Sequence, residues 1–545
     1  MTSTEWKRKG VLIGALAICL CSHVLYATER LRPEHDLTYL GAFRVPVDSS
    51  ANHSWAWVES SLTYNPIDKT LISPSMRVPD HANFGKITEF TIPKPKISKG
   101  HDLGDLNVAR TVHDWTDITA GRWNQGLEEP IVGGMAVVPA RGTQKKDKIY
   151  WLTSTWFNPG KDVATLGMSD LDFSRPNGRG PWRIAGSWWH GPGLPSSRTS
   201  RYMFTIPQAW ADRYVHGYSI ATGENKPNGF GSRGACIYAV RPWETDEPPG
   251  AGADIDSIEL LCPGMDFAHR RNYDRSSWDY FSYVDKQLSA VWVDVNGRGA
   301  VMFVGSVATL TANDTGDCDP AVENCEYYKS DLPGDNEDLV TPYTSPGKSP
   351  DACPSSGDFQ GEPYYRVLWL YGVDDLQAVV QGKKNSYEPQ PYAIYNLENY
   401  LWMEGRCALN HIGGIAYDAA GQRIFVAELK VDDSVSQYDI TPIIHVFKVS
   451  NSGRPADTIP PFPPANVVSD GNGGLSWDAA RDADGPILYI VKRNGKPIGV
   501  TTKTEYQDDV YDKYLHPEKH QYTVEARDVV NNRSFSSGGR QKKSR

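Results

Sequence analysis

Basic residues are in deficit in this chain. Its 56 Lys and Arg face 66 Asp and Glu, a formal net charge of −10. That argues against a nucleic-acid binder, which needs a basic face. Long apolar runs are almost missing as well. One such stretch, residues 11–24, follows Lys7, Arg8 and Lys9 and leads into Leu25-Tyr26-Ala27. This is the layout of a secretory signal peptide cut after Ala27, and it is short for a membrane span. Ile18 and Leu20 stand where a lipoprotein cut before Cys19 or Cys21 needs a small residue. The expectation is an exported chain, free of the membrane once residues 1–27 are removed.

Cysteine is sparse, 8 in 545 residues, and Cys19 and Cys21 leave with the signal. The remainder, Cys236, Cys262, Cys318, Cys325, Cys353 and Cys407, is an even number, which in an exported chain suggests disulfides. Cys236 and Cys262 fall on successive expected strands of one unit and are the first pair expected. Cys318, Cys325 and Cys353 share one loop, which two of them would staple, leaving the third to reach Cys407. There is no P-loop, no dinucleotide-binding glycine pattern and no HExxH zinc motif. The glycine-rich stretch 223–234 lies between strands, so a phosphate cradle is not expected there.

What is present is a repeat. Residues 410–428, NHIGGIAYDAAGQRIFVAE, read as a polar loop end, a strand, a tight turn and a second strand. The same pattern, extended by a third strand, begins near residues 61, 134, 202 and 289. A fourth, outer strand is expected at 107–114, 182–187, 257–261 and 392–397, and a short helical insert at 208–214. The last unit lacks its fourth strand, and 37–45 at the other end of the chain can supply it, which removes exposed edges. First strands rich in Gly and small residues suit a crowded axis. The expected fold is all-β: a five-bladed β-propeller over 36–450. The alternative is a pair of β-sandwiches. The chain also resembles secreted bacterial propellers of unassigned activity that open with YLGAFR, here Tyr39–Arg44, and end in a strand like 443–449. That resemblance implies fold and compartment, not activity.

A Pro-rich linker, 451–465, precedes short alternating strands over 466–537 and a basic tail, 538–545. Pro463, Val467, Trp477, Tyr489, Arg493-Asn494-Gly495 and Tyr522-Thr-Val524-Glu-Ala526 resemble a fibronectin type III domain. The resemblance implies a spacer or docking module rather than chemistry.

In such a ring, strand alternation sends the second-to-third and unit-to-unit connections to one end. Those connections hold most of the unusual side chains, and function concentrates on such loops. Trp123, Trp156, Trp189 and Trp402 offer flat faces for sugar rings, and Asn225 offers a hydrogen-bonding amide. Arg77, Arg198, Arg201, Arg233 and Arg270 offer forked partners for carboxylate or sulfate. The expected partner is therefore a glycan, preferably an acidic polysaccharide. A lyase acting on a uronate needs a base beside the acidic C–H and a cation on the carboxylate. His81, His190, His269, His411 and Tyr273 are the candidate bases. A glycoside hydrolase needs two carboxylates instead, and Glu59, Glu128, Glu129 and Asp285 lie at first-strand starts. A carbohydrate-binding or surface-attachment propeller without catalysis, and a scaffold for protein partners, are the remaining alternatives. In the acidic insert 313–338, Asp314, Asp317 and Asp319 would suit Ca²⁺, which takes about 6–8 oxygens; the alternative is a solvated, stapled loop.

Overall fold

The structure, a computed structural model, describes residues 29–47, 55, 61–75, 84–122, 130–141, 144–155, 163–188, 191–192, 194, 199–225, 234–241, 248–263, 285–309, 363–403, 412–435, 440–508, 520–536 and 540–541. The chain is all-β. Sheet I holds Thr63–Asn65, Thr70–Pro74, Ile87–Phe90 and Thr111–Thr116, in that order. Sheet II begins Pro130–Val138, Lys148–Thr155, Leu166–Asp170 and Arg179–Ile184, with Asp254–Ile255 added at its edge. Sheet III holds Tyr202–Thr205, Ile220–Gly223, Ile237–Val240 and Ser257–Leu261. Sheet IV holds Lys286–Val295, Arg298–Ala308, Tyr364–Tyr371 and Pro391–Asn396. Sheet V runs Ile412–Asp418, Arg423–Asp432, Thr441–Val449, and its fourth strand is Leu37–Arg44 from the start of the chain. The hydrogen-bonded neighbours within each run of four are antiparallel.

The local causes are visible in the residues. Asn296 and Gly297 both adopt positive φ, 51° and 85°, the conformation of a two-residue hairpin turn. They join the two longest strands of sheet IV. Tyr364–Tyr371, YYRVLWLY, is buried along its whole length, as expected of a strand covered on both faces.

The five sheets follow one another in a cycle. The first strand of each lies against the first strand of the next, and that of sheet V against that of sheet I. Glycine permits this approach: a Cβ on Gly134 would stand 2.1 Å from the Met203 nitrogen, and one on Gly414 would stand 2.5 Å from the Leu62 nitrogen. Each adjoining pair of sheets shares an apolar cluster. Ile72 and Ile149 join I to II, Leu152 and Tyr238 join II to III, and Phe204 and Trp369 join III to IV. Leu370 and Val426 join IV to V, and Phe425 and Phe90 join V to I.

After sheet V, residues 465–541 form two further four-stranded sheets around Val467, Trp477, Tyr489, Tyr522 and Val524. This unit is docked on the ring. Within Leu488–Arg493, Tyr489 and Val491 face their own core, whereas Leu488 and Ile490 enter the cluster shared by sheets III and IV, as a two-residue period demands. The Arg527 guanidinium donates to the Tyr365 hydroxyl at 2.7 Å, and Asn396 donates its N–H to the Val529 carbonyl at 2.9 Å.

Candidate functional site at the loop-bearing end of the ring

Of the candidate site residues taken from the sequence, Arg201, Asn225, Trp402 and Asp285 lie in the described structure, whereas Glu59, Glu128 and Glu129 lie outside the described residues. His81, His190, His269, His411, Tyr273, Arg77, Arg198, Arg233, Arg270, Trp123, Trp156 and Trp189 lie outside the described residues. So do Asp314, Asp317, Asp319, Cys318, Cys325, Cys353 and Cys407. Cys236 and Cys262 form a disulfide across sheet III.

Arg201 immediately precedes the first strand of sheet III, and its N–H donates to the Gly223 carbonyl at 2.9 Å. Asn225, just past the second strand, is buried. Its Nδ2 donates to the Asp285 carbonyl at 3.1 Å and to Gln287 Oε1 at 3.3 Å. Gln287 Oε1 also accepts the Ala235 N–H, at 3.0 Å, and Gln287 Nε2 donates to the Tyr371 hydroxyl at 3.2 Å. The start of sheet IV's first strand is thus tied to sheet III through buried polar groups. Ser200, Glu224, Asp285 and Gln287 are all 0% exposed. Burial pushes the Tyr371 hydroxyl well above its ordinary value; the Gln287 amide opposes this and the Asp285 carboxylate adds to it. Asp285 is therefore a carboxylate at a first-strand start, inside a polar nest at the loop-bearing end.

Trp402 lies apart from that nest. Its ring stacks on His101 with centroids 5.1 Å apart, against Ala42 and Ile443 of the outer part of sheet V and Leu106 of the connection before the last strand of sheet I. The Trp402 backbone N–H donates to both Glu428 oxygens, at 2.9 and 2.8 Å, and the Met403 backbone N–H donates to Oε1 at 2.8 Å.

Glu428, His445 and Arg366 form a buried polar relay that no sequence motif marks. His445 Nε2 faces Glu428 Oε2 at 2.9 Å, so that nitrogen carries the proton; for a neutral ring, Nδ1 then accepts from the Tyr39 hydroxyl at 2.9 Å. Arg366 pairs with Glu398 at 2.7 Å and reaches Glu428 at 3.5 Å. Burial alone would push the Glu428 carboxyl up. The His445 hydrogen bond, the charges of His445 and Arg366 and the Met403 N–H outweigh it and hold the group below the usual glutamate value. Burial, then the Glu428 charge, pushes the Tyr39 hydroxyl well above the ordinary tyrosine range. A base needs the opposite shift, so this relay is a brace fixing the connection that carries Trp402. Its sequence signal is a charged residue inside an apolar strand, as in FVAELK, IIHVF and YYRVLWL.

One carboxylate group can hold a cation. Asp457, Asp482 and Asp528 bring oxygens within 4.8 Å of one another, an all-oxygen set of the kind hard cations take. It joins the linker to two loops of the C-terminal unit, far in sequence from the acidic insert. Burial pushes the Asp528 carboxyl up to about 7, against the hydrogen bonds of Asn532.

No protein-family model matches the chain, and no curated protein matches it. Among solved structures it is similar to the PQQ-bound form of an aldose sugar dehydrogenase from Streptomyces coelicolor, at 11% identity and a TM-score of 0.26, over 77% of this chain and 100% of that one. A likeness of that size carries no argument about fold or activity.

Proposed function

We propose that the chain is an exported five-bladed β-propeller with a fibronectin-III-like module, and that it acts on an acidic polysaccharide at the loop-bearing end. β-Elimination is the first activity to test. The observation that carries this is the cyclic run of antiparallel sheets. In it, every second-to-third and sheet-to-sheet connection leaves from one end, and those connections hold the Trp, Arg and His residues named above. Sugar faces stack on indole, and Arg on an otherwise acidic protein favours an anionic ligand. The Cys236–Cys262 disulfide fits an oxidising compartment. No helix among the described residues is long and apolar enough to cross a membrane.

A hydrolase is the second reading, favoured by the buried Asp285 at a first-strand start. Incubation with polyuronates separates the readings. A new ultraviolet absorbance from a conjugated C=C supports elimination. New reducing ends without it support hydrolysis, which an Asp285→Asn variant should lose. Retention without either product means a binding module. No retention and no product on any uronate polymer refutes the proposal.

A further inference from the structure

Sheets I and II border an open cleft of about 560 Å³ between them. It lies at the end of the ring opposite the long connections. Asp68 belongs to the turn between the first two strands of sheet I, and Asp172 and Phe173 to the turn between the last two of sheet II.

Glu89 forms the floor of the cleft. It stands on the third strand of sheet I and is 1% exposed. Its Oε1 is satisfied by the Asn65 amide at 2.7 Å and by the Thr70 hydroxyl. Its Oε2 is shut off from solvent and accepts no hydrogen bond among the described residues. His113 Nε2 stands 3.6 Å from it, beyond hydrogen-bond reach. A buried carboxylate oxygen left without a hydrogen-bond donor is costly, and Glu89 is one of the residues lining the cleft. Asp68, Asp114 and Asp172 add three more carboxylates to the same lining. Arg175, 88% exposed, stands 3.9 Å from Asp172, a weak surface pair. One wall is apolar and flat: the half-exposed His113 ring lies on Phe173 with centroids 4.4 Å apart and planes 10° from parallel.

We propose that this cleft binds a small organic cation through a primary ammonium group. A small turn of the half-exposed His113 ring, 3.6 Å from Glu89 Oε2, lets the ammonium supply the N–H that this oxygen lacks; further carboxylates neutralise additional charge, and the body of the ligand lies along Phe173. A bare metal ion fits less well. Among the described residues, the carboxylate and imidazole atoms here do not converge as those of Asp457, Asp482 and Asp528 do, and the cleft is far larger than one ion. Polyamines and amino sugars share the required chemistry.

Calorimetric titration of the full chain tests the assignment with spermidine, glucosamine and N-acetylglucosamine. Saturable binding of spermidine or glucosamine, weakened by added salt and missing for N-acetylglucosamine, is the expected result, and the two arms show which source the cleft prefers. Glu89→Gln should weaken binding about tenfold or more, the equivalent of one charge-assisted hydrogen bond. If that buried variant does not fold, Asp114→Asn with Asp172→Asn on the rim should lower affinity comparably. No binding of either amine, equal binding of the acetylated sugar, or affinity unchanged in both variants overturns the proposal. So does Zn²⁺ or Ca²⁺ binding that Glu89→Gln abolishes while amines fail to compete. The glycan proposal is untouched by any of these outcomes, because it concerns the other end of the ring.

Discussion

Replacing Glu428 by Gln is the most informative perturbation of the scaffold. The carboxylate accepts from the Trp402 and Met403 N–H groups and from His445 Nε2, all at 2.8–2.9 Å, and stands 3.5 Å from the Arg366 guanidinium. Glutamine keeps the shape but puts a donor where one acceptor was, and it removes one of the two carboxylates facing Arg366, leaving that of Glu398. Breaking one partner of a buried charged network costs roughly 3–5 kcal/mol, so that loss is expected in equilibrium denaturation at pH 7. The pH dependence follows from the direction of the shift. The folded carboxyl lies below its ordinary value of 4.5, so its stabilisation is present above that pH and fades as pH falls through the lower folded value. Wild type and variant should therefore converge in acid. The exposed Glu505→Gln control should change stability by less than about 0.5 kcal/mol. A Glu428→Gln loss under about 1 kcal/mol at pH 7, or one of the same size at pH 7 and pH 3, would refute the argument.

Ile490→Ala should cost about 2–5 kcal/mol and make the linker at 451–464 more sensitive to protease, since Ile490 is 0% exposed in the cluster shared with the ring. Gly134→Ala should destabilise by at least about 1–3 kcal/mol in thermal unfolding, because its Cβ would meet backbone of the neighbouring sheet at 2.1 Å. Asp528, raised from 3.8 to about 7, makes its contribution in full below the lower value and loses it as pH rises through the upper one. In chelator, wild type should lose up to about 4 kcal/mol from this group between pH 4 and pH 8. Asp528→Asn should lack that slope, and parallel pH profiles would contradict the assignment.

The strands were legible where pattern and turn chemistry agree. Asn296-Gly297 announces its hairpin, the helix at Gln208–Tyr214 falls where expected, and Cys236 pairs with Cys262. Helix Val373–Val380 was not legible because it follows the strand Tyr364–Tyr371 after a single residue, with no linker to mark the change, and the three-residue strands Glu505–Gln507 and Arg533–Phe535 are too brief to show a period. Long-range pairing was the other blind spot. His445 and Glu428 sit in apolar strands that read as plain core, and only the fold brings Arg366 and Tyr39 to them. At the candidate site, Asn225 and Trp402 stand out in sequence as loop residues. That the Asn225 amide is engaged by Asp285 and Gln287, and the Trp402 ring by His101, depends on segments far away in the chain.

The most direct measurement is retention on an immobilised polyuronate, with variants at each end of the ring. Concentration-dependent retention that falls with salt, drops in Arg198→Ala with Arg270→Ala and survives Asp114→Asn with Asp172→Asn is the predicted result. Passage straight through the column, or retention governed by the turn-bearing end instead, would contradict the account.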